Sequence, residues 1–259
     1  MSPINGIICD TLTFYNKDFG IIKSLNSLLI RHILTNDANS LLLFGSLGDG
    51  DLFSIAEKIR LIEIVLEITK KNVPILIGIY ANQIDKILNQ IETLGKKFGD
   101  LNFMISPPIS EKISIDAMKS YFENILGSIN LKNQIYLINN PPLFAGNEIE
   151  ADLLKKLKEF TNLKGLNDSF YNIKKCKLYI QLINKNFSVF CGLEENSHNF
   201  FQLIPLEQRK YSGIVSNISN LVNMCSKLYK YALEDNILEL LQLQEQINGI
   251  RNEIYEIKT

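Results

Sequence analysis

The sequence predicts a (β/α)8 barrel followed by one additional C-terminal helix, and three observations carry that prediction. Short runs of Ile, Leu, Val and Phe alternate with longer amphipathic stretches along the 259 residues, the signature of repeated βα units rather than of a sandwich or a bundle. The short runs number eight, and each is nearly continuous in apolar residues, as a strand buried on both faces should be. Eight strands alternating with eight helices is what a closed barrel requires, whereas a doubly wound open sheet more often stops at about five to seven strands.

In chain order the strands are expected over 4–9, 41–45, 74–80, 101–105, 134–139, 163–167, 187–192 and 212–217. The clearest helix lies over 54–72, where Ile55, Ile59, Ile62, Val65 and Leu66 share one face while Glu57, Lys58, Glu63 and Lys70 fall elsewhere. Ser54, with Glu57 three residues on, reads as a capping box that starts it. Further helices are expected over 18–35, 82–97, 114–129, 147–160, 170–184, 195–208 and 219–234. Beyond the eighth unit, 235–259 reads as one more helix. Its Ile237, Leu240, Leu241, Gln244, Ile247, Ile250, Ile254 and Ile257 come close to a three-four repeat. No Pro/Gly/Ser-rich linker or composition break interrupts the chain, so 1–259 is expected to form a single domain with 235–259 as a helical extension.

Composition removes several function classes. Basic and acidic side chains number 27 and 28 and are mixed along the whole length, which argues against nucleic acid as a partner because phosphate contacts call for a basic excess. No apolar run reaches the roughly 18 residues of a membrane span, and the N-terminus lacks the basic and long apolar regions of a signal peptide, so a soluble, cytoplasmic protein is expected. Cys9, Cys176, Cys191 and Cys225 form no C-x-x-C pair and are expected as buried free thiols.

A barrel of this kind carries its site at the C-terminal ends of the strands. There the segment Gly45-Ser46-Leu47-Gly48-Asp49-Gly50 is glycine-rich, and its backbone N–H groups can cradle a carboxylate or phosphate. It lacks the Lys-Ser/Thr of a Walker loop and does not read as a G-x-G-x-x-G loop, leaving a tight βα turn or a small carboxylate site. Gly45, Gly48, Asp49 and Val215 are the expected pocket residues. Asp10, Asp49, Asp168, Glu194, Glu195 and His198 also lie near strand ends. Helix capping and solvated loops account for them better than a metal, because class II sites usually draw on several histidines and only His32 and His198 exist. No metal and no cofactor are expected.

These motifs resemble the dihydrodipicolinate synthase and N-acetylneuraminate lyase superfamily, and most closely its archaeal 2-keto-3-deoxygluconate aldolases. The strand-two segment followed by Leu52-Phe53-Ser54-Ile55-Ala56-Glu57-Lys58 is similar to the family's G-T/S-T-G-E and trailing L-S-x-E-E/K. Ser106-Pro107-Pro108 resembles its strand-four motif, Leu137-Ile138-Asn139-Asn140-Pro141 its L-Y-N-x-P, Lys164-Gly165-Leu166-Asn167-Asp168-Ser169 its x-G-I/V-K-D-S/T, and Gly213-Ile214-Val215-Ser216 its G-x-x-S. The resemblance implies a class I aldolase barrel. In such a barrel a lysine at the end of strand six forms a Schiff base with a 2-oxo acid, while a strand-five tyrosine and a strand-two hydroxyl assist proton transfer.

The active-site positions implied by the resemblance are Ser46, Leu47, Ile138 and Asn167, and the sequence departs at most of them. Asn167 stands at the Schiff-base position, and an amide nitrogen delocalised into its carbonyl is no carbonyl nucleophile. Ile138 stands at the tyrosine position, Leu47 replaces the second strand-two hydroxyl, and Ile109 and Ser110 stand where aromatic residues are expected. Lys164 is no substitute, because an odd offset from Asn167 turns it to the opposite face of the strand. The expectation is a non-catalytic binding or assembly protein on an aldolase scaffold, with a carbon–carbon lyase acting on a 2-oxo acid through altered residues as the alternative. A metal-dependent or unrelated barrel enzyme is a third. The ligand is expected to be a small 2-oxo acid or, given Leu47, Ile138 and Ile109, something more apolar. The resemblance also implies a homo-oligomer, dimer or tetramer, or pairing with an active paralogue. The apolar stripe of 235–259 has to be covered by the barrel or by a neighbouring subunit.

Overall fold

The computed structural model describes residues 3–99, 101–129 and 132–256. Eight parallel strands close in chain order: β1 (Gly6–Asp10), β2 (Ser40–Leu43), β3 (Ile75–Ile79), β4 (Leu101–Ile105), β5 (Ile135–Asn139), β6 (Leu163–Asp168), β7 (Ser188–Cys191) and β8 (Ser212–Ser216). β8 returns to pair with β1, so the fold is a (β/α)8 barrel without free sheet edges. The helices are α1 (Lys23–Thr35), α2 (Ile55–Thr69), α3 (Ile84–Phe98), α4 (Ile115–Ser128), α5 (Ala151–Leu157), α6 (Ile173–Tyr179), α7 (Ser197–Leu203), α8 (Leu206–Arg209), α9 (Met224–Leu233) and α10 (Ile237–Glu256).

The strand alternation sorts the core into two compartments. Ile7, Cys9, Leu41, Leu43, Ile75 and Ile77 point outward and pack under the helices, while Ile8, Leu42, Leu76, Met104, Tyr136, Ile138, Phe190 and Val215 point inward and fill the barrel. All four cysteines are buried free thiols.

Several helices start later than expected, and asparagine side chains are the reason. Asn16 Oδ1 accepts from the backbone of Asp18 and Gly20, each at 2.9 Å, so α1 begins only at Lys23. Asn147 bonds the backbone of Pro108, Glu111 and Ile113, which delays α5 to Ala151. Asn220 donates to the Asp10 carbonyl at 2.7 Å and accepts from Leu12 N–H, tying the β8 exit to β1 before α9 starts. The helix expected over 195–208 is broken between α7 and α8, where Pro205 supplies no N–H. The capping box at α2 is half formed. Ser54 Oγ accepts from Glu57 N–H at 3.3 Å, but the Glu57 carboxylate turns away to take Ile21 N–H at 2.7 Å.

The expected stripe of α10 divides. Leu240, Gln244 and Ile247 are buried together with Leu243, whereas Ile237, Leu241 and Ile254 are exposed; Ile257 lies outside the described residues. Gln244 donates to the Glu194 carbonyl at 2.9 Å, and Arg251 bridges the Glu194 and Glu195 carboxylates at 2.6 and 2.9 Å. These polar contacts fasten α10 beside the C-terminal ends of β7 and β8.

Candidate functional site

Parity along the strands decides what reaches the upper interior of the barrel. Ile8, Leu76 and Met104 face inward, so Asp10 on β1 and Ser106 just after β4 face inward one step higher, and Tyr80 just after β3 two steps above Leu76. Ile138 on β5 and Val215 on β8 are inward by observation. Asn167 on β6 joins them, its amide nitrogen 4.0 Å from Met104 Sδ inside the barrel.

Asp10 organises the strand-two side of this layer. Phe44, at the end of β2, holds φ of 59°, a left-handed conformation rare for a bulky residue, and so turns Gly45 and Ser46 back over β1. Ser46 Oγ then donates to Asp10 Oδ2 at 3.0 Å, and Leu47 N–H donates to the same oxygen at 3.3 Å. A β-carbon on Gly45 would lie 2.2 Å from Asp10 Oδ1, so glycine is what lets the carboxylate fit. The loop donors that could meet a ligand carboxylate are turned to the chain's own Asp10. Burial pushes the Asp10 carboxyl up to about 7, against the opposing pull of the Ser46 and Leu47 donors.

The layer is polar yet under-bonded. Asp10 Oδ1, Tyr80 Oη, Ser106 Oγ and Asn167 Oδ1 are buried with no hydrogen-bond partner among the described residues. Buried polar atoms are normally paired, so four such atoms in one layer are unusual. Gly192 on the β7 exit makes room for Asn167, since a β-carbon there would lie 2.4 Å from Asn167 Oδ1.

Above the layer lies a cavity of about 360 Å³ walled by Gly45, Ser46, Asp49, Asp51, Tyr80 and Phe144 among others. Of the expected pocket residues, Gly45 and Asp49 line it. Gly48 instead packs against the Thr11 carbonyl and the Phe44 backbone, and Val215 belongs to the barrel interior. Ser46 is a wall residue, whereas Leu47, Ile138 and Asn167 are not.

The acids expected as caps or solvated loop residues do not all take that role. Asp10, Asp168 and Glu194 are buried. Asp168 Oδ1 accepts from Asn139 Nδ2 at 2.9 Å, and burial pushes its carboxyl up to about 7. Glu194 accepts from Ser216 Oγ, Ile218 N–H and Arg251 at 2.6, 2.8 and 2.6 Å, a structural network. Asp49 is exposed and accepts from Tyr15 Oη at 3.2 Å. Among the described residues no group of three His, Cys, Asp or Glu is disposed to hold a metal.

Two lysines bear on the nucleophile question. The β5–β6 register shifts at Lys164, so strand parity does not run through it; it lies at the lower end of β6, roughly 10 Å below Asn167 at about 3.3 Å per residue. The helical spacing puts Lys58 on the polar face of α2, yet it is buried. Its Nζ donates to Gln90 Oε1 at 2.9 Å and stands over the Phe44 ring, and burial lowers its pKa to about 8. It lines a second cavity of about 510 Å³ beside α2 and α3, which shares Asp51 and Tyr80 with the first. Nothing in the helical periodicity distinguishes Lys58 from a solvated lysine, because its burial comes from α3 and Phe44.

The model of the dihydrodipicolinate synthetase family matches residues 3–258. The chain belongs to that family. It is 25% identical over 205 residues to the 4-hydroxy-tetrahydrodipicolinate synthase of Wigglesworthia glossinidia brevipalpis, covering 79% of this chain and 64% of that one. To the same-named enzyme of Clostridium perfringens (strain ATCC 13124) it is 22% identical over 249 residues, covering 94% and 80%. Among solved structures, a 2-keto 3-deoxygluconate aldolase from Picrophilus torridus matches with a TM-score of 0.86 at 23% identity over 97% of this chain and 88% of the other. A dihydrodipicolinate synthase from Thermotoga maritima matches at 0.87 and 17% identity, over 97% and 83%. At such identities the structural likeness speaks for the fold, and function has to be argued from the site.

Proposed function

We propose that this family member binds a small molecule at the barrel mouth without forming a Schiff base. The observation that carries the reading is Asn167, inward and buried at the end of β6, where the resemblance implies the imine-forming lysine. None of the inward upper-layer side chains, Asp10, Tyr80, Ser106, Ile138, Asn167 and Val215, carries an amine. Ile138 has no proton to give, and the Ser46 and Leu47 donors that would meet a 2-oxo acid's carboxylate are engaged by Asp10. The test is incubation with pyruvate and borohydride followed by intact mass. The expected result is unmodified protein, and an adduct contradicts the reading.

The alternative, a carbon–carbon lyase with altered residues, is favoured by one feature. Lys58 is a buried amine with a lowered pKa, and such an amine is a competent imine former. It stands on α2 outside the barrel, so peptide mapping of any adduct to Lys58 separates this reading from a barrel lysine. For assembly we propose a homo-oligomer, with an active paralogue as the second choice, supported by the exposed Ile237, Leu238 and Leu241 of α10. Light scattering should give a multiple of 29.5 kDa; a monomer that enters a complex only with an active relative favours the second choice.

A further inference from the structure

The four unpartnered atoms of the upper layer differ in kind from what a 2-oxo acid needs. Asn167 Oδ1 is an acceptor, Asp10 Oδ1 is an acceptor once the carboxyl ionises above about pH 7, and Tyr80 Oη and Ser106 Oγ can accept or donate. Asp10, Ser106 and Asn167 are 2%, 0% and 1% exposed, so solvent does not reach them freely. Of these four residues Tyr80 lines the 360 Å³ cavity itself, and the Asp10 carboxylate lies against Gly45 and Ser46, two of the cavity's walls. That cavity carries Asp49 and Asp51 and no cationic side chain of its own, Lys58 acting on Asp51 from the adjoining cavity, and Leu52, Ile109, Leu143 and Phe144 are among its apolar walls. A buried carboxylate with one oxygen unmatched costs free energy unless a donor or a positive charge meets it.

We infer that the mouth of this barrel binds a small organic ammonium ion that donates to Asp10, with Tyr80, Ser106 and Asn167 supplying further oxygens. The inference deepens the proposed function and rests on its reading of the mouth as a binding site without imine chemistry. Asp10 sets the selectivity. Its carboxylate occupies the strand-two donors that an anionic ligand would use and offers its second oxygen to a cation. The apolar walls favour an alkylammonium over a bare metal ion, since hard divalent cations take about six or more oxygen ligands.

The experiment titrates the full chain with ethylammonium, potassium, acetate and pyruvate, following backbone amide shifts and calorimetric heats. Ethylammonium should bind saturably in about the millimolar range, while acetate and pyruvate produce no saturable change. Asp10→Asn should weaken ethylammonium binding about tenfold or more, the scale of one charged hydrogen bond. Because Asp10→Asn can alter the fold of the loop, Asn167→Asp is the second variant: it adds an acidic oxygen at the same layer and should tighten binding several-fold. Absence of saturable ethylammonium binding overturns the inference, as do equal binding of potassium, preference for the carboxylates, or binding unchanged in a folded Asp10→Asn. Its failure is separable from failure of the proposed function, because ammonium binding can be absent while pyruvate and borohydride still leave the protein unmodified.

Discussion

The two storeys of the barrel interior are built by different rules. In the lower storey Tyr136 points inward, and its hydroxyl accepts from Ile4 N–H at 2.7 Å and donates to Gln134 Oε1 at 2.8 Å. Its ring packs edge-on against Phe190. In the upper storey Tyr80 also points inward, and its ring packs edge-on against Phe144, but its buried hydroxyl has no partner among the described residues. The first hydroxyl is satisfied within the chain, and the second is buried with no partner among the described residues. Buried polar groups are normally paired, and the proposed mouth ligand would supply the partner that the Tyr80 hydroxyl lacks among the described residues.

The largest test of this division is Phe190→Ala. The side chain is fully buried in the barrel interior against the Tyr136 ring, and truncation should cost about 3–5 kcal/mol in urea denaturation. A loss under about 1 kcal/mol breaks the picture of a tightly packed lower storey.

Next comes Asp10→Asn, with the opposite sign. The folded-state pKa of Asp10 is raised from 3.8 to about 7, so the native protein holds this proton more tightly than the unfolded chain does. Ionising Asp10 therefore costs stability progressively as pH rises from about 4 to 7, and the cost is fully present above that window. Removing the charge should leave stability nearly unchanged at about pH 4 and raise it by about 2–4 kcal/mol at about pH 8. Asp168 carries a similar shift and titrates in both proteins, so the difference between the two pH profiles isolates Asp10. A flat difference profile contradicts the buried, uncompensated carboxylate.

The barrel was legible because strands buried on both faces leave nearly unbroken apolar runs, and eight of them leave little choice of topology. Helix starts were less legible. Asn16, Asn147 and Asn220 give their side chains to backbone groups elsewhere, and no local propensity reports such partners. At the site, Asn167 and Ile138 stand out as departures from motifs, and their inward placement follows from strand parity. Asp10 was read as one more solvated acid, because its burial depends on the turn at Phe44 that brings Ser46 over β1. Tyr80 and Lys58 escaped for the same reason, their surroundings being assembled from distant segments.

The smallest expected difference is also the most direct test of the division between the storeys: the stability of Tyr136→Phe beside that of Tyr80→Phe. Each removes one oxygen and keeps the ring. Tyr136→Phe leaves Ile4 N–H without its buried acceptor and should cost about 1–3 kcal/mol, whereas Tyr80→Phe removes a hydroxyl with no partner among the described residues and should fall within about 0.5 kcal/mol of the parent or exceed it. Equal losses for the two variants would contradict the account, since the Tyr80 hydroxyl would then be a structural group and the upper storey a core like the lower one.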